Sequence, residues 1–123
     1  MARRAGLLVR RAGERHFIPA DVARHLVPLP RLSRVPWDHA QMALVRGEVV
    51  AVVALGEPSN ELVICEIRGQ TVALSGLRAE RAGFWPAASQ GVLVDDQHVP
   101  ELDLASALAQ FQTQRTEPKD SAP

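Results

Sequence analysis

The sequence predicts an all-β domain, and two features of the chain carry that prediction. Its 123 residues are 46% apolar, which is enough for one domain with a sizeable core. The apolar residues fall mainly in short runs of strand length, and Gly, Pro, Asn and Ser punctuate the gaps, as in small barrels and sandwiches. The runs lie at residues 7–9, 16–18, 42–45, 49–55, 61–67, 71–77 and 91–94.

The first two runs predict a pair of strands, with Ala12-Gly13-Glu14 as the turn between them. Residues 21–26 predict a short helical segment of one or two turns. Val22 and Leu26 stand four residues apart in it and would give it one apolar face. That face would pack on the core or else form the floor of a groove for a helical hairpin.

The central pair of runs, at residues 42–45 and 49–55, is separated by Arg46-Gly47. Gly accepts a positive φ without a Cβ clash, so this pair predicts two strands joined by a tight turn or bulge. Residues 49–55 are wholly Val, Ala and Leu, and we expect this strand to be buried on both faces. Arg46 then places a permanent charge between two apolar strands. Its guanidinium could tie down turn carbonyls, contact a partner, or do both.

The second half of the chain continues the strand pattern. Gly69-Gln70 predicts a short hairpin between the runs at 61–67 and 71–77. Asp95-Asp96-Gln97 predicts the tip of another hairpin after the run at 91–94.

The last apolar residues predict a helix. Leu104, Leu108 and Phe111 recur at helical spacing, and Asp103 is placed to cap the N-terminus of that helix. From Thr113 the chain is polar and contains proline, so residues 113–123 predict a disordered tail.

The charge is balanced overall but divided along the chain. Fourteen Lys and Arg offset fourteen Asp and Glu. Residues 1–47 hold nine Arg against three acidic residues, whereas residues 48–123 hold five basic against eleven acidic residues. Such a dipolar surface could steer a charged partner, or the two halves of one compact domain could neutralise each other.

No pattern in the sequence predicts catalysis, a cofactor or a metal site. The four histidines have no metal-ligand spacing with one another or with Cys65, and no serine stands in a Gly-x-Ser-x-Gly setting. The glycines are isolated, which excludes a Gly-rich phosphate loop. Asp95-Asp96 fits a solvated turn better than a catalytic pair. We therefore expect a protein that is not an enzyme.

The sequence also predicts a cytoplasmic protein. The single cysteine, Cys65, lies inside an apolar run, cannot form an internal disulfide and reads as a small buried hydrophobe in a reducing compartment. No stretch approaches the roughly 18–20 apolar residues of a membrane span. The Arg-rich start does not resemble a signal peptide.

A family resemblance follows from the central residues. Val35-Pro36, then Leu44-Val45-Arg46-Gly47, then residues 49–55 resemble the centre of the CheW-like domain, an adaptor that couples chemoreceptors to a histidine kinase. The resemblance implies two small five-stranded β-barrels with a short helical segment and a C-terminal helix. The domain would span residues 1–112, with one barrel roughly at 6–56 and the other roughly at 60–112. The first and last strands could exchange between them.

The resemblance implies a function as well. A CheW-like adaptor binds the cytoplasmic hairpin tip of a chemoreceptor (a methyl-accepting chemotaxis protein) in a signalling array. It also contacts the regulatory domain of a CheA-type kinase or another CheW-like adaptor. Carried over to this sequence, the receptor site would be formed by Val22, Leu26, Arg46 and Val49. The kinase or adaptor interface would involve Leu77, Arg78 and Trp85.

Three departures from the family pattern predict weakened coupling to the kinase. The Gly and Asn that commonly precede Leu-Arg-Gly are absent, and Gly76-Leu77 stands where a Val-Asp pair usually ends a strand. The segment between Phe84 and Gly91 is also shorter than in most members. Such a short and divergent adaptor is similar to the second CheW-like protein of the Frz-type chemosensory pathway of gliding bacteria.

The alternative function is binding of single-stranded nucleic acid. Small β-barrels often bind single strands, and the first predicted strands carry a cluster of arginines. Such sites usually need aromatic side chains on which bases stack, and Phe17 is the one aromatic residue near that cluster. We therefore rank direct binding of nucleic acid below the adaptor function. The cluster consists of Arg3, Arg4, Arg10, Arg11 and Arg15.

Overall fold

The computed structural model describes residues 2–28, 32–34, 41–56, 60–106 and 108–109. Most of these residues lie in strands, and residues 104–106 and 108–109 are helical, so the all-β prediction is confirmed. The strands are β1 (Arg3–Arg11), β2 (Glu14–Pro19), β3 (Ala23–Pro28), β4 (Leu32–Arg34), β5 (Gln41–Val45), β6 (Glu48–Ala54), β7 (Glu61–Ile67), β8 (Gln70–Ser75), β9 (Arg78–Ala88), β10 (Gly91–Val94) and β11 (Gln97–Pro100).

The strands form two sheets, and each sheet curls into a half-barrel. The first sheet has the order β11-β10-β9-β1-β2, and the second has the order β3-β7-β8-β6-β5-β4. Neighbouring strands are antiparallel except β6 and β8, which pair in parallel. The predicted architecture of two small barrels is therefore confirmed, with six strands rather than five in the second sheet.

Sheet membership does not follow the order of the strands along the chain. β1 pairs with β9 from Arg3↔Pro86 to Arg10↔Arg78, so the first sheet combines residues 3–19 with residues 78–100. The second sheet consists of the strands β3 to β8. The sequence pattern does not predict β9, because this strand begins with the polar stretch Arg78-Ala79-Glu80-Arg81 rather than with an apolar run.

The predicted helical segment at residues 21–26 is wrong. Asp21 and Val22 form a turn, and the residues that follow belong to β3, which pairs with β7 through Leu26↔Val63. Six residues are too few to offset the cost of nucleating a helix in isolation, whereas the neighbouring strand supplies hydrogen bonds at once. As a result, Val22 and Leu26 do not share a helix face.

Three apolar clusters hold the sheets together. The central core lies between them and draws residues from both: Val9, Ile18, Val53, Leu55, Val63, Cys65, Val72, Leu74, Leu77, Leu102 and Leu108. The first-barrel core consists of Leu8, Phe17, Trp85, Val92, Val94 and Val99. The second-barrel core consists of Ala43, Val50, Val52, Leu62, Ile64 and Ala73.

The strand β6 serves two of these cores, as its apolar sequence predicts. Val52 faces the second-barrel core and Val53 faces the central core. The prediction of burial on both faces fails at both ends of the strand, where Val49 is 72% exposed and Ala54 is also exposed.

The end of the described chain closes the first barrel. Phe17 bridges Glu101, and the Leu102 N–H donates to the Phe17 carbonyl at 2.9 Å. Asp103 then accepts hydrogen bonds from the Ser106 N–H (3.0 Å) and hydroxyl (2.8 Å), which confirms the predicted N-cap. Leu108 is buried in the central core. The end of the predicted helix, at Phe111, and the predicted tail lie outside the described residues.

Candidate functional site

The connection between β5 and β6 is a two-residue turn, as predicted. Val45 pairs with Glu48, and Arg46 and Gly47 have φ values of 52° and 84°. Two successive residues with positive φ are typical of a type I′ turn, whose twist matches that of the flanking strands. We call residues 44–49 the hairpin tip.

The hairpin tip carries an exposed apolar pair. Leu44 and Val49 are directly opposite each other in the two strands and are 63% and 72% exposed. Their neighbours Ala43 and Val50 point to the other face and enter the second-barrel core. Leu44 is not among the residues predicted for the receptor site. The alternation of strand side chains, with Ala43 and Val45 turned inward, is the signal that would have identified it.

Arg46 reaches across the open end of the second barrel. Its Nη1 lies 3.4 Å from Nε2 of His25 in β3. Within the described residues the guanidinium makes no hydrogen bond to a turn carbonyl. Arg46 therefore does not tie down its own turn, and its donors point towards the barrel mouth.

A cavity of about 410 Å³ opens at this mouth. Val50 and Ile64 form an apolar wall, and charged side chains rim the opening. One of these, Arg24, forms an ion pair with Glu66 at 3.1 Å. The arrangement suits an occupant that is apolar on one side and offers hydrogen-bond acceptors on the other.

The four residues predicted for the receptor site do not form one surface. Arg46 and Val49 lie together in the hairpin tip. Leu26 is 45% exposed on β3, on the face that carries Val63 and the central core, whereas its neighbour His25, which contacts Arg46, lies on the opposite face. Val22 is half-buried against the central core, and its carbonyl accepts the Glu66 N–H at 2.9 Å.

The structure corrects two of the three residues predicted for a kinase or adaptor interface. Leu77 is fully buried in the central core, so its side chain cannot contact a partner. Trp85 is 8% exposed and packs edge-to-face on Phe17, with ring centroids 6.2 Å apart, while the Arg81 guanidinium lies over its other side at 5.7 Å. Arg78 is exposed.

The short segment before Gly91 is a tight hairpin. β9 continues to Ala88, Ser89 and Gln90 form the turn, and β10 begins at once. The His98 Nε2 lies 2.8 Å from the Ser89 carbonyl oxygen and ties β11 to this turn. On β9, Phe84 is 67% exposed.

The described residues give little support for a metal site or for the stacking of nucleic-acid bases. No group of three His, Cys, Asp or Glu side chains in this part of the chain could hold a metal ion. Phe17 is fully buried, so it cannot stack on a base. Within the same residues, no helix has both the length and the apolar composition needed to cross a membrane.

No family model matches the sequence, and no curated protein matches it. Among solved structures, the chain is similar to the crystal structure of the scaffolding protein TtCheW from Thermoanaerobacter tengcongensis, with a TM-score of 0.63. The match covers 85% of this chain and 86% of that chain at 13% sequence identity. The chain has a CheW-like fold. The sequence resemblance is confirmed at this level, whereas the narrower similarity to a Frz-type adaptor is not supported.

Proposed function

We propose that this chain is a non-catalytic, cytoplasmic CheW-like adaptor that binds the cytoplasmic hairpin tips of chemoreceptors in a chemosensory array. Its similarity in fold to a scaffolding protein supports the general role. The observation that carries the proposal is the exposed Leu44–Val49 pair, which stands beside Arg46 in the hairpin tip.

The hairpin tip has the chemistry that an amphipathic helical hairpin requires. Fully burying a Leu or Val side chain contributes about 1.5–3 kcal/mol. The pair could therefore supply a few kcal/mol when a receptor helix covers it, which alone gives weak binding. Arg46 adds donors in a fixed fork that can pair with carboxylates or with the carbonyls at a helix end. Together these groups would anchor one face of a receptor hairpin.

We propose further that coupling to a CheA-type kinase is weak. Leu77 and Trp85 are buried, which leaves Arg78 as the accessible member of the predicted interface. The two-residue turn at Ser89-Gln90 adds no loop with which to extend that surface. Interfaces that bury less than about 1,000 Å² in total are usually weak.

The receptor function can be tested by calorimetry with a purified receptor cytoplasmic fragment from the same organism. We expect the double variant Leu44→Ser/Val49→Ser to bind at least about tenfold more weakly than the unmodified chain, since both apolar contacts are lost. Phe84→Ser is the matched control, because it removes an exposed apolar side chain from the other sheet. Unchanged affinity of the folded double variant would overturn the hairpin tip as the receptor site.

A further inference from the structure

Three arginines stand directly opposite one another on neighbouring strands of the first sheet. Arg10 in β1 pairs with Arg78 in β9 on one side and with Arg15 in β2 on the other. Like charges placed opposite each other in a sheet repel. We call these three residues the arginine row.

The carboxylates near the arginine row do not neutralise it. Glu80 accepts hydrogen bonds from Nε of Arg10 (2.7 Å) and Nε of Arg15 (2.9 Å), and the bond from Arg10 is the main cause that lowers the pKa of this carboxyl. Among the described residues, no carboxylate lies within 4.0 Å of the Arg78 guanidinium. Glu61, which accepts the Ala79 N–H at 3.3 Å, is a second nearby carboxylate. The three cations of the arginine row therefore face two anions, Glu80 and Glu61.

Two members of the arginine row, Arg10 and Arg78, border a wide cavity. Its volume is about 1020 Å³, and Arg10, Gly13, Gly56 and Arg78 are among the residues that line it. Strands lie about 4.8 Å apart, so the row spans roughly 10 Å. Alternate side chains of an extended peptide are about 7 Å apart on one face, so two carboxylates of such a peptide can reach two of the arginines. The site is therefore large enough for a chain segment.

We propose that the arginine row and this cavity bind an acidic, extended peptide segment of a protein partner. The arginine row lies on the other sheet from the hairpin tip, and the inference does not rest on receptor binding. An Arg guanidinium offers two parallel donors to each carboxylate, and Arg78 forms no ion pair within the described residues.

A peptide fits this surface better than single-stranded nucleic acid does. Bases need exposed aromatic side chains on which to stack. Phe17 and Trp85 are buried in the first-barrel core. Phe84 is exposed, but its partner in β1 is Ala5, which lies on the face opposite to that of Arg10. The arginine row therefore has no aromatic partner among the described residues.

The test uses the full chain and a fluorescent peptide of about ten residues with Glu at alternate positions, followed by anisotropy at low salt. We expect Arg78→Gln to weaken binding about fivefold. Glu80→Gln should tighten binding, since it removes the carboxylate that competes with the peptide for Arg10 and Arg15. Arg68→Gln, which removes an exposed charge from the β7–β8 turn of the other sheet, should leave the affinity unchanged. Thermal melting of each variant checks that it is folded.

Three outcomes would overturn the inference. The first is no binding of the peptide at low salt. The second is equal weakening by Arg68→Gln and Arg78→Gln, which would show a diffuse charge effect. The third is that a single-stranded oligonucleotide of the same net charge binds more tightly than the acidic peptide does, and that Arg78→Gln abolishes this binding. Loss of receptor binding with intact peptide binding would count against the proposed function alone.

Discussion

Nη1 of Arg46 lies 3.4 Å from Nε2 of His25, although β3 and β5 stand at the first and fifth positions of the six-stranded sheet. Two strands so far apart in a sheet can approach only where the sheet curls strongly. The contact therefore marks the place where the second barrel comes closest to closing. Both side chains are exposed, so the contact adds little stability, and Arg46 is free to exchange it for a partner.

Arg46→Ala should weaken capture of a receptor cytoplasmic fragment at least about threefold, because it removes the charged donors of the hairpin tip. The melting temperature should change little, since the side chain is exposed. Arg68→Ala provides a closely matched control: Arg68-Gly69 is also a two-residue turn, and both arginines have a φ of 52°. Equal receptor binding by the two variants would count against a role for Arg46.

Val52→Asp and Val53→Asp should each destabilise the fold by several kcal/mol, roughly 3–5, because an unpaired charge would enter a core. Val52 is 4% exposed and Val53 is 6% exposed. Val49→Asp, in the same strand, should be tolerated because that side chain is mostly in solvent. Urea denaturation compares the three. Wild-type stability of both core variants would show that β6 is wrongly placed.

Gly76→Ala should destabilise the protein far more than Gly69→Ala does. Both glycines have positive φ, 85° and 78°, so each substitution incurs the left-handed penalty of about 1–2 kcal/mol. A Cβ at Gly69 would meet open space, whereas a Cβ at Gly76 would collide with the backbone nitrogen of Gly56. The difference between the two free energies of unfolding isolates this close approach. Equal values would mean that the two backbones can move apart at little cost.

The Cys65 thiol should be inert in the folded protein. Burial raises its pKa to about 12, so the reactive thiolate is nearly absent at pH 8. A thiol-specific chromogenic reagent should react slowly in buffer and at the rate of a free cysteine in urea. Rapid labelling without denaturant would show that the central core opens locally around β7.

Association with a CheA-type kinase regulatory domain should be weak or undetectable in a pairwise assay with purified components. The expectation follows from the buried Leu77 and Trp85 and from the tight turn at Ser89-Gln90. A CheW-like adaptor with a longer segment before β10 serves as the positive control. Low-micromolar or tighter affinity for this chain would restore an ordinary coupling role.

The local sequence pattern was sufficient to predict a strand where apolar and polar residues alternate or where nearly all residues are apolar. β7 and β10 were predicted with the bounds that the structure shows, and the turn at Arg46-Gly47 follows from the glycine alone. β3 and β9 could not be recognised in this way. β3 is a strand because β7 lies beside it, and the polar start of β9 is held by its pairing with β1. In both cases the partner strand is remote in sequence.

The same limit applies to the site. Arg46 could be selected because its charge stands between two apolar runs, whereas Val49 was assigned through the family resemblance. Leu77 was placed at an interface through the family resemblance, because Gly76-Leu77 stands where a Val-Asp pair usually ends a strand. Its burial depends on the left-handed turn at Gly76, which sends the chain back into the central core. That direction is a property of the packed sheets rather than of the local residues.

The pairing of β1 with β9 sets the order in which the protein can assemble during translation. Leu8 and Phe17 emerge from the ribosome early, yet their partners Trp85, Val92 and Val99 belong to a segment made much later. The intervening residues can complete the second sheet from contiguous sequence in the meantime. A nascent chain in which β1 and β2 have left the ribosome before β9 would thus present the unprotected inner face of the β1–β2 hairpin to chaperones.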